Sequence, residues 1–203
     1  MSDVYLSKSK YCRAVQCNKI LWLDNNKPDV ATDTSSKSVE VKHKEFLAEP
    51  GMDPRRILAE NLIRDIQKNA CIVVYNLAYE KTRMNELGRI YEDLNDRFQK
   101  MINQIVDLIE PFRSRWYYNK AMQGSYSIKQ VLPALYPNEP SLDYHNLPLV
   151  HNGGEAIDTY LDLINHTKEE QKEIRKGMLM YCELDTYALV KVLEKLKEVV
   201  DEK

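Results

Sequence analysis

Residues 70–80 read Ala70-Cys71-Ile72-Val73-Val74-Tyr75-Asn76-Leu77-Ala78-Tyr79-Glu80, and the fold turns on them. Ala70 to Tyr75 form one unbroken apolar run, β-branched in the middle and too short for a helix. Such a run suits a strand covered on both faces, as in a parallel sheet. Asn76 closes it, and an acidic residue follows four positions on, where a helix over 79–87 is predicted. Upstream, Asp53-Pro54 is a helix start, an Asp cap with Pro in the first turn. Ile57, Leu58, Leu62, Ile63 and Ile66 then share one stripe, which predicts a helix over 54–68. Further upstream, Val39, Val41, His43, Phe46 and Leu47, with Glu40, Lys42 and Lys44 between the first of them, suggest a strand over 39–47.

Downstream the alternation continues. A helical stretch covers 91–103, and Ile105-Val106-Asp107-Leu108-Ile109 is a second short buried strand, with Asp107 interrupting it. Short helices are expected over 127–135 and 154–165. Thr167 with Glu170 forms a capping box. An apolar stripe through Ile174, Met178, Tyr181, Leu189, Val192, Leu193 and Leu196 then runs toward Val200, with Gly177 the one candidate break. Buried strands alternating with helices predict an α/β fold.

The N-terminal part differs in character. Leu6, Tyr11, Val15, Ile20, Leu21 and Leu23 have helical spacing within residues 1–28, and residues 29–38, DVATDTSSKS, read as a polar linker. The main domain then covers 39–203. The chain has 203 residues, enough for one domain with an appendage. With 29 basic and 31 acidic side chains the net charge is −2, which excludes a generally basic nucleic-acid binder and leaves room for a local basic patch. No apolar stretch is long enough to span a membrane, and no signal peptide opens the chain, so a cytoplasmic protein with no membrane partner is expected. Cysteines 12, 17, 71 and 182 are accordingly expected to be reduced thiols.

Three segments could carry chemistry. Glu80 lies just beyond a strand end, where α/β proteins place their sites; a carboxylate there also complements the positive end of a helix dipole. Tyr181 and Asp185 are four apart and share a helix face that is otherwise apolar, where an Asp needs a hydrogen bond, a charge partner or a metal. Asp107 is placed to sit at the mouth of the same sheet.

The acid after the first buried strand and the Y-x-x-x-D of the last helix together resemble the second and third signatures of DEDD-type 3′–5′ exonucleases. That superfamily has an RNase H-like (DnaQ-like exonuclease) core. The segments HKEFLAEPGMDPRRILAENLI, AYEKTRMNEL, AMQGSYSIKQVLPAL, NGGEAIDTY and YCELDTYALVKVLEKL are similar to a bacterial family of larger proteins that end in a DEDD-like module. Those proteins begin with a RecB-like region related to CRISPR-associated nucleases, in the style of YLSKSKYCRAVQCNKILWLD. The resemblance covers 1–28 and 40–200.

It implies a nuclease in which four carboxylates hold two Mg2+ or Mn2+ ions for an in-line displacement at phosphorus. By resemblance, Asp185 is the third-signature ligand, Tyr181 orients the attacking water, and Glu80 takes the second-signature position, where the superfamily uses Asp. Asp107 is a further candidate ligand. The first signature, D-x-E, is absent, so the expected core is incomplete and hydrolysis impaired. Asp24, after Ile20-Leu21-Trp22-Leu23, is the one upstream acid that follows an apolar run, and Asn26 stands where the second acid would be.

Residues 111–138 contain no Asp or Glu. They hold Arg113, Arg115, Lys120 and Lys129 among Phe112, Trp116, Tyr117, Tyr118, Tyr126 and Tyr136. Cations beside aromatic faces are what single-stranded DNA or RNA requires; the same composition also suits a partly buried aromatic loop with a solvated rim. The alternatives to an impaired nucleic-acid binder are an active exonuclease whose missing acids come from elsewhere, and a module that only packs against a protein partner.

Overall fold

The computed structural model describes residues 45–51 and 53–201. The helical spacing read within residues 1–28, the linker at 29–38 and most of the strand expected over 39–47 lie outside them.

The described chain is mixed α/β and mostly helical. In order it contains α1 (Arg55–Asp65), β1 (Ile72–Val74), α2 (Leu77–Ile90), α3 (Glu92–Ile102), β2 (Ile105–Asp107), α4 (Glu110–Arg113), α5 (Ile128–Leu135), α6 (Gly153–Asp162) and α7 (Lys168–Asp201), with short 3-10 turns between. The apolar run at 70–75 forms β1 and pairs in parallel with β2, in the register Ile72 to Ile105, Val73 to Val106 and Val74 to Asp107. These are the two strands of a two-stranded sheet. Residues 45–47 are irregular rather than strand. Their backbone is held by a side chain instead, since the Arg175 guanidinium donates to the carbonyls of Ala48 (2.6 Å) and Leu47 (2.7 Å).

Several elements begin where their sequence dictates. Asp53 accepts a hydrogen bond from the Arg55 amide at 3.1 Å, so α1 starts one residue after Pro54. Asn152 caps α6 by accepting from the Glu155 amide at 3.1 Å. The capping box of α7 is reciprocal: the Thr167 amide donates to Glu170, and the Glu170 amide to the Thr167 hydroxyl. Gly177 does not break α7, which runs unbroken for 34 residues, about 50 Å. A Cβ at Gly177 would stand 2.9 Å from the Leu149 Cβ, so this glycine admits a close chain crossing.

Three apolar clusters hold the fold. One unites α1, α2 and α3 through Ala59, Met84, Phe98 and Met101. The largest packs the second half of α7 (Leu184, Ala188, Val192, Leu196) against α5, Phe112, Tyr117 and Tyr144. The third joins Val150, Leu163 and Met178, with Leu47 and Tyr160 against it. Tyr181 packs against both of the last two.

Cys71, just before β1, is disulfide-bonded, which departs from the expectation of reduced thiols, while Cys182 is free. No helix among the described residues is long and apolar enough to cross a membrane.

Candidate functional site

The C-terminal ends of β1 and β2 lead to the candidate site. β1 ends in a sharp turn at Asn76, whose backbone is left-handed (φ 108°, ψ 73°). Non-glycine residues adopt that region at a cost, and only where surrounding contacts enforce it. Here the enforcing group is Asp107. Its Oδ1 accepts from the Asn76 amide at 3.0 Å and the Ile109 amide at 3.1 Å, and its Oδ2 accepts from the Leu77 amide at 2.9 Å. Asn76 itself makes no side-chain cap bond. Asp107 therefore caps α2 from the neighbouring strand and meets the positive end of that helix dipole.

Glu80 lies in the first turn of α2 and is half-buried. Burial raises its carboxyl pKa, and the negative charge of Asp185 raises it further. Asp185 comes from the middle of α7, more than a hundred residues later in the chain, so the two acids that sequence reasoning singled out share one electrostatic neighbourhood. Asp185 keeps access to solvent, yet enough protein surrounds it that desolvation raises its pKa. A hydrogen bond from the Tyr144 hydroxyl at 2.9 Å and the charge of Lys129 act in the opposite direction.

Tyr181, one turn before Asp185, packs edge-on against Tyr144 with ring centroids 5.9 Å apart. Burial, followed by the charge of Asp185, pushes its phenol pKa up to about 12. A Cβ at Gly153 would stand 4.0 Å from its hydroxyl, so the start of α6 closes over this side. Tyr144 was not among the residues chosen from sequence. It is fully buried, its phenol pKa is raised by desolvation and then by Asp185, and it lies in a Pro-, Asn- and Asp-rich stretch without periodicity.

The donor set does not fit a two-metal centre. Asp107 points its carboxylate at three amides, which leaves Glu80 and Asp185 as a pair. Among the described residues no group of three or more His, Cys, Asp or Glu side chains is gathered to hold a metal. Two open grooves of about 550 and 350 Å3 flank the first half of α7, where Lys172, Arg175 and Met180 lie; neither includes Glu80, Tyr181 or Asp185.

The basic and aromatic segment folds around the same end of the sheet. Phe112 and Tyr117 are core residues, with their rings edge to face at 5.6 Å, and Phe112 stacks toward Tyr75. The Tyr75 hydroxyl donates to the Tyr126 carbonyl at 2.8 Å, tying this segment to the end of β1. Tyr136 donates to the Lys191 carbonyl and lies beneath that lysine's ammonium. Tyr126 is 48% exposed and Trp116 half-buried. The four cations differ. Arg113 is paired with Glu110, which lies one residue before the acid-free segment. Lys129 has its ammonium 6.0 Å from the Tyr144 ring and within the field of Asp185. Arg115, with a left-handed backbone (φ 55°), and Lys120 are exposed, and among the described residues neither is in an ion pair.

His145, His151 and His166 are each within ion-pair distance of a nearby acid: His145 of Asp143, His151 of Glu155, and His166 of Asp162 and Glu170.

Residues 29–127 match a protein family described as a domain of unknown function, DUF2779. The match includes the segment read as a linker, both strands, and Glu80, Asp107 and Arg115; it ends before Tyr144, Tyr181 and Asp185. No curated protein and no solved structure matches the chain.

Proposed function

We propose that the chain is a catalytically impaired DEDD-type exonuclease-like module, built on an incomplete RNase H-like core, that retains affinity for single-stranded DNA or RNA. The observation that carries this reading is that Glu80, in the first turn of α2, lies within the field of Asp185, which stands one turn after Tyr181 on the last helix. These are the segments in which the exonuclease resemblance places its second and third signatures. The first signature is absent from the sequence, and Asp107 is held by amides, so the carboxylates needed to stabilise the charge that builds up on a phosphorane are too few.

Arg115 and Lys120 supply phosphate contacts, while Tyr126 and Trp116 offer aromatic faces for unpaired bases. Lys129 connects this surface to Asp185. The test is incubation of the full chain with a 3′-labelled single strand in Mg2+ and in Mn2+. The expected result is binding without loss of the label. Release of the 3′ nucleotide that Asp185→Ala abolishes would make the chain an active exonuclease whose missing acids come from elsewhere.

One observation favours a second reading, a module that packs against a protein partner. Ile157, Leu161 and Ile164 are each more than half exposed along one side of α6 and the turn after it. If binding to nucleic acid is absent in a folded sample, this second reading stands.

A further inference from the structure

We infer that the acids at this end of the sheet are held by hydrogen-bond donors in place of a metal: Asp107 by the amides of Asn76, Leu77 and Ile109, and Asp185 by the Tyr144 hydroxyl. On this account the site takes no divalent cation, and Asp107 is a structural cap rather than a ligand. The inference stands whether or not the chain binds nucleic acid.

A carboxylate beside other carboxylates needs a compensating cation or an array of donors. Asp107 has the array. Both of its oxygens are engaged, at 2.9–3.1 Å, by three amides belonging to two separate chain segments. Two of those amides open α2, where the unpaired N–H groups already carry the positive end of the helix dipole. A metal ion bound to Asp107 would have to displace these donors and sit against that positive end.

That leaves Glu80 and Asp185, close enough for the charge of Asp185 to act on Glu80. Asp185 is compensated by the Tyr144 hydroxyl and by the charge of Lys129. A lysine in the field of a carboxylate is a fixed positive charge, and it repels a divalent ion approaching the same group. Glu80 and Asp185 both have raised pKa values, and the causes are desolvation and, for Glu80, the other acid.

The experiment is a Mn2+ titration of the full chain at neutral pH, followed by water-proton relaxation, together with thermal melts in Mn2+ and in EDTA. The expected enhancement rises without saturating up to about 1 mM, the range of weak oxygen-ligand sites. It is the same in the double variant Glu80→Gln/Asp185→Asn, and the melting temperature is unaffected by EDTA. Saturable, stoichiometric binding tighter than about 100 µM that the double variant abolishes would overturn the inference.

A second variant separates cap from ligand. Asp107→Asn keeps one acceptor oxygen but turns an amide donor toward backbone donors. It is expected to lower the melting temperature by about 2–4 °C or more, equally in Mn2+ and in EDTA. A loss seen only in Mn2+ would identify Asp107 as a ligand and overturn the inference.

Discussion

The Leu77 amide donates to Asp107 Oδ2 at 2.9 Å across a gap of 30 residues in sequence, so the helix that follows β1 is capped by the last residue of β2. Through this bond and its partner from Asn76, the parallel pairing of the strands and the direction of α2 depend on one carboxylate. Glu80, in the first turn of α2, is positioned by it.

Removing that carboxylate leaves three amides without their acceptor. Asp107→Ala is expected to cost about 1–3 kcal/mol, the usual penalty for stranding partly buried backbone donors. Urea denaturation with far-UV circular dichroism measures it. A change below about 0.5 kcal/mol would mean that water replaces the carboxylate without loss.

Tyr144→Phe removes one hydroxyl from a fully buried ring and preserves its packing. The hydrogen bond from Tyr144 lowers the Asp185 pKa, so its loss is expected to move that pKa upward. Carbon-detected NMR titration of the Asp185 carboxyl reads the shift directly. The stability loss is expected to be small, about 0.5–1.5 kcal/mol, because Asp185 remains open to water. An unchanged or lower pKa would show that the bond does not favour the ionised form.

The pH dependence follows from Glu80 and Asp185 together. Their folded pKa values lie above the ordinary 4.5 and 3.8, so the folded chain holds these two protons more tightly than the unfolded one. Their contribution to stability is complete below those ordinary values and is lost as pH rises through the folded ones. Above their folded pKa values both are charged and work against the fold. Glu80→Gln/Asp185→Asn is therefore expected to melt higher than the unsubstituted chain at pH 7, with the difference closing as pH falls toward about 4. The exposed carboxylates whose pKa values are lowered, such as Asp93 and Glu155, work in the opposite direction but are common to both proteins and cancel. A variant less stable at pH 7 would show that the pair is held as a favourable charged unit.

The aromatic side chains of the basic segment separate by burial. Tyr126→Ala is expected to weaken binding to a single strand by about 1–3 kcal/mol and to leave duplex binding and stability nearly unchanged. Phe112→Ala is expected to destabilise the fold by about 3–5 kcal/mol, because that ring lies in the main core. Parallel anisotropy and melting measurements distinguish the two. Equal losses on single and double strands for Tyr126→Ala would remove stacking from the account.

Much of the helical framework was legible from spacing and caps. The β-branched run at 70–75 gave β1, the stripe after Pro54 gave α1, and the Thr167–Glu170 box gave the start of α7, because each signal acts within a few residues. The pattern leaves one long helix or two meeting at Gly177, and α7 is one helix; the reason for a glycine there is Leu149, 28 residues earlier in the chain. Residues 45–47 close the segment read as a strand from its alternation further upstream, yet they are irregular and Arg175 takes the carbonyls of Leu47 and Ala48. Glu80 and Asp185 are singled out by the two-segment resemblance, and in the fold the charge of Asp185 acts on Glu80. The bonds of Asp107 and the presence of Tyr144 were not legible, because both depend on contacts across 30 and 41 residues that no local pattern encodes.

Phosphate contacts from this surface to single-stranded nucleic acid are read by a salt titration of fluorescently labelled oligonucleotide binding, followed by anisotropy. Modest affinity at low salt is expected, falling as a power of salt concentration. Arg115→Ala/Lys120→Ala is expected to reduce the slope by about 2 and to weaken all sequences about equally. A folded sample with no binding at low salt, or with binding that the double variant leaves unchanged, would contradict these contacts.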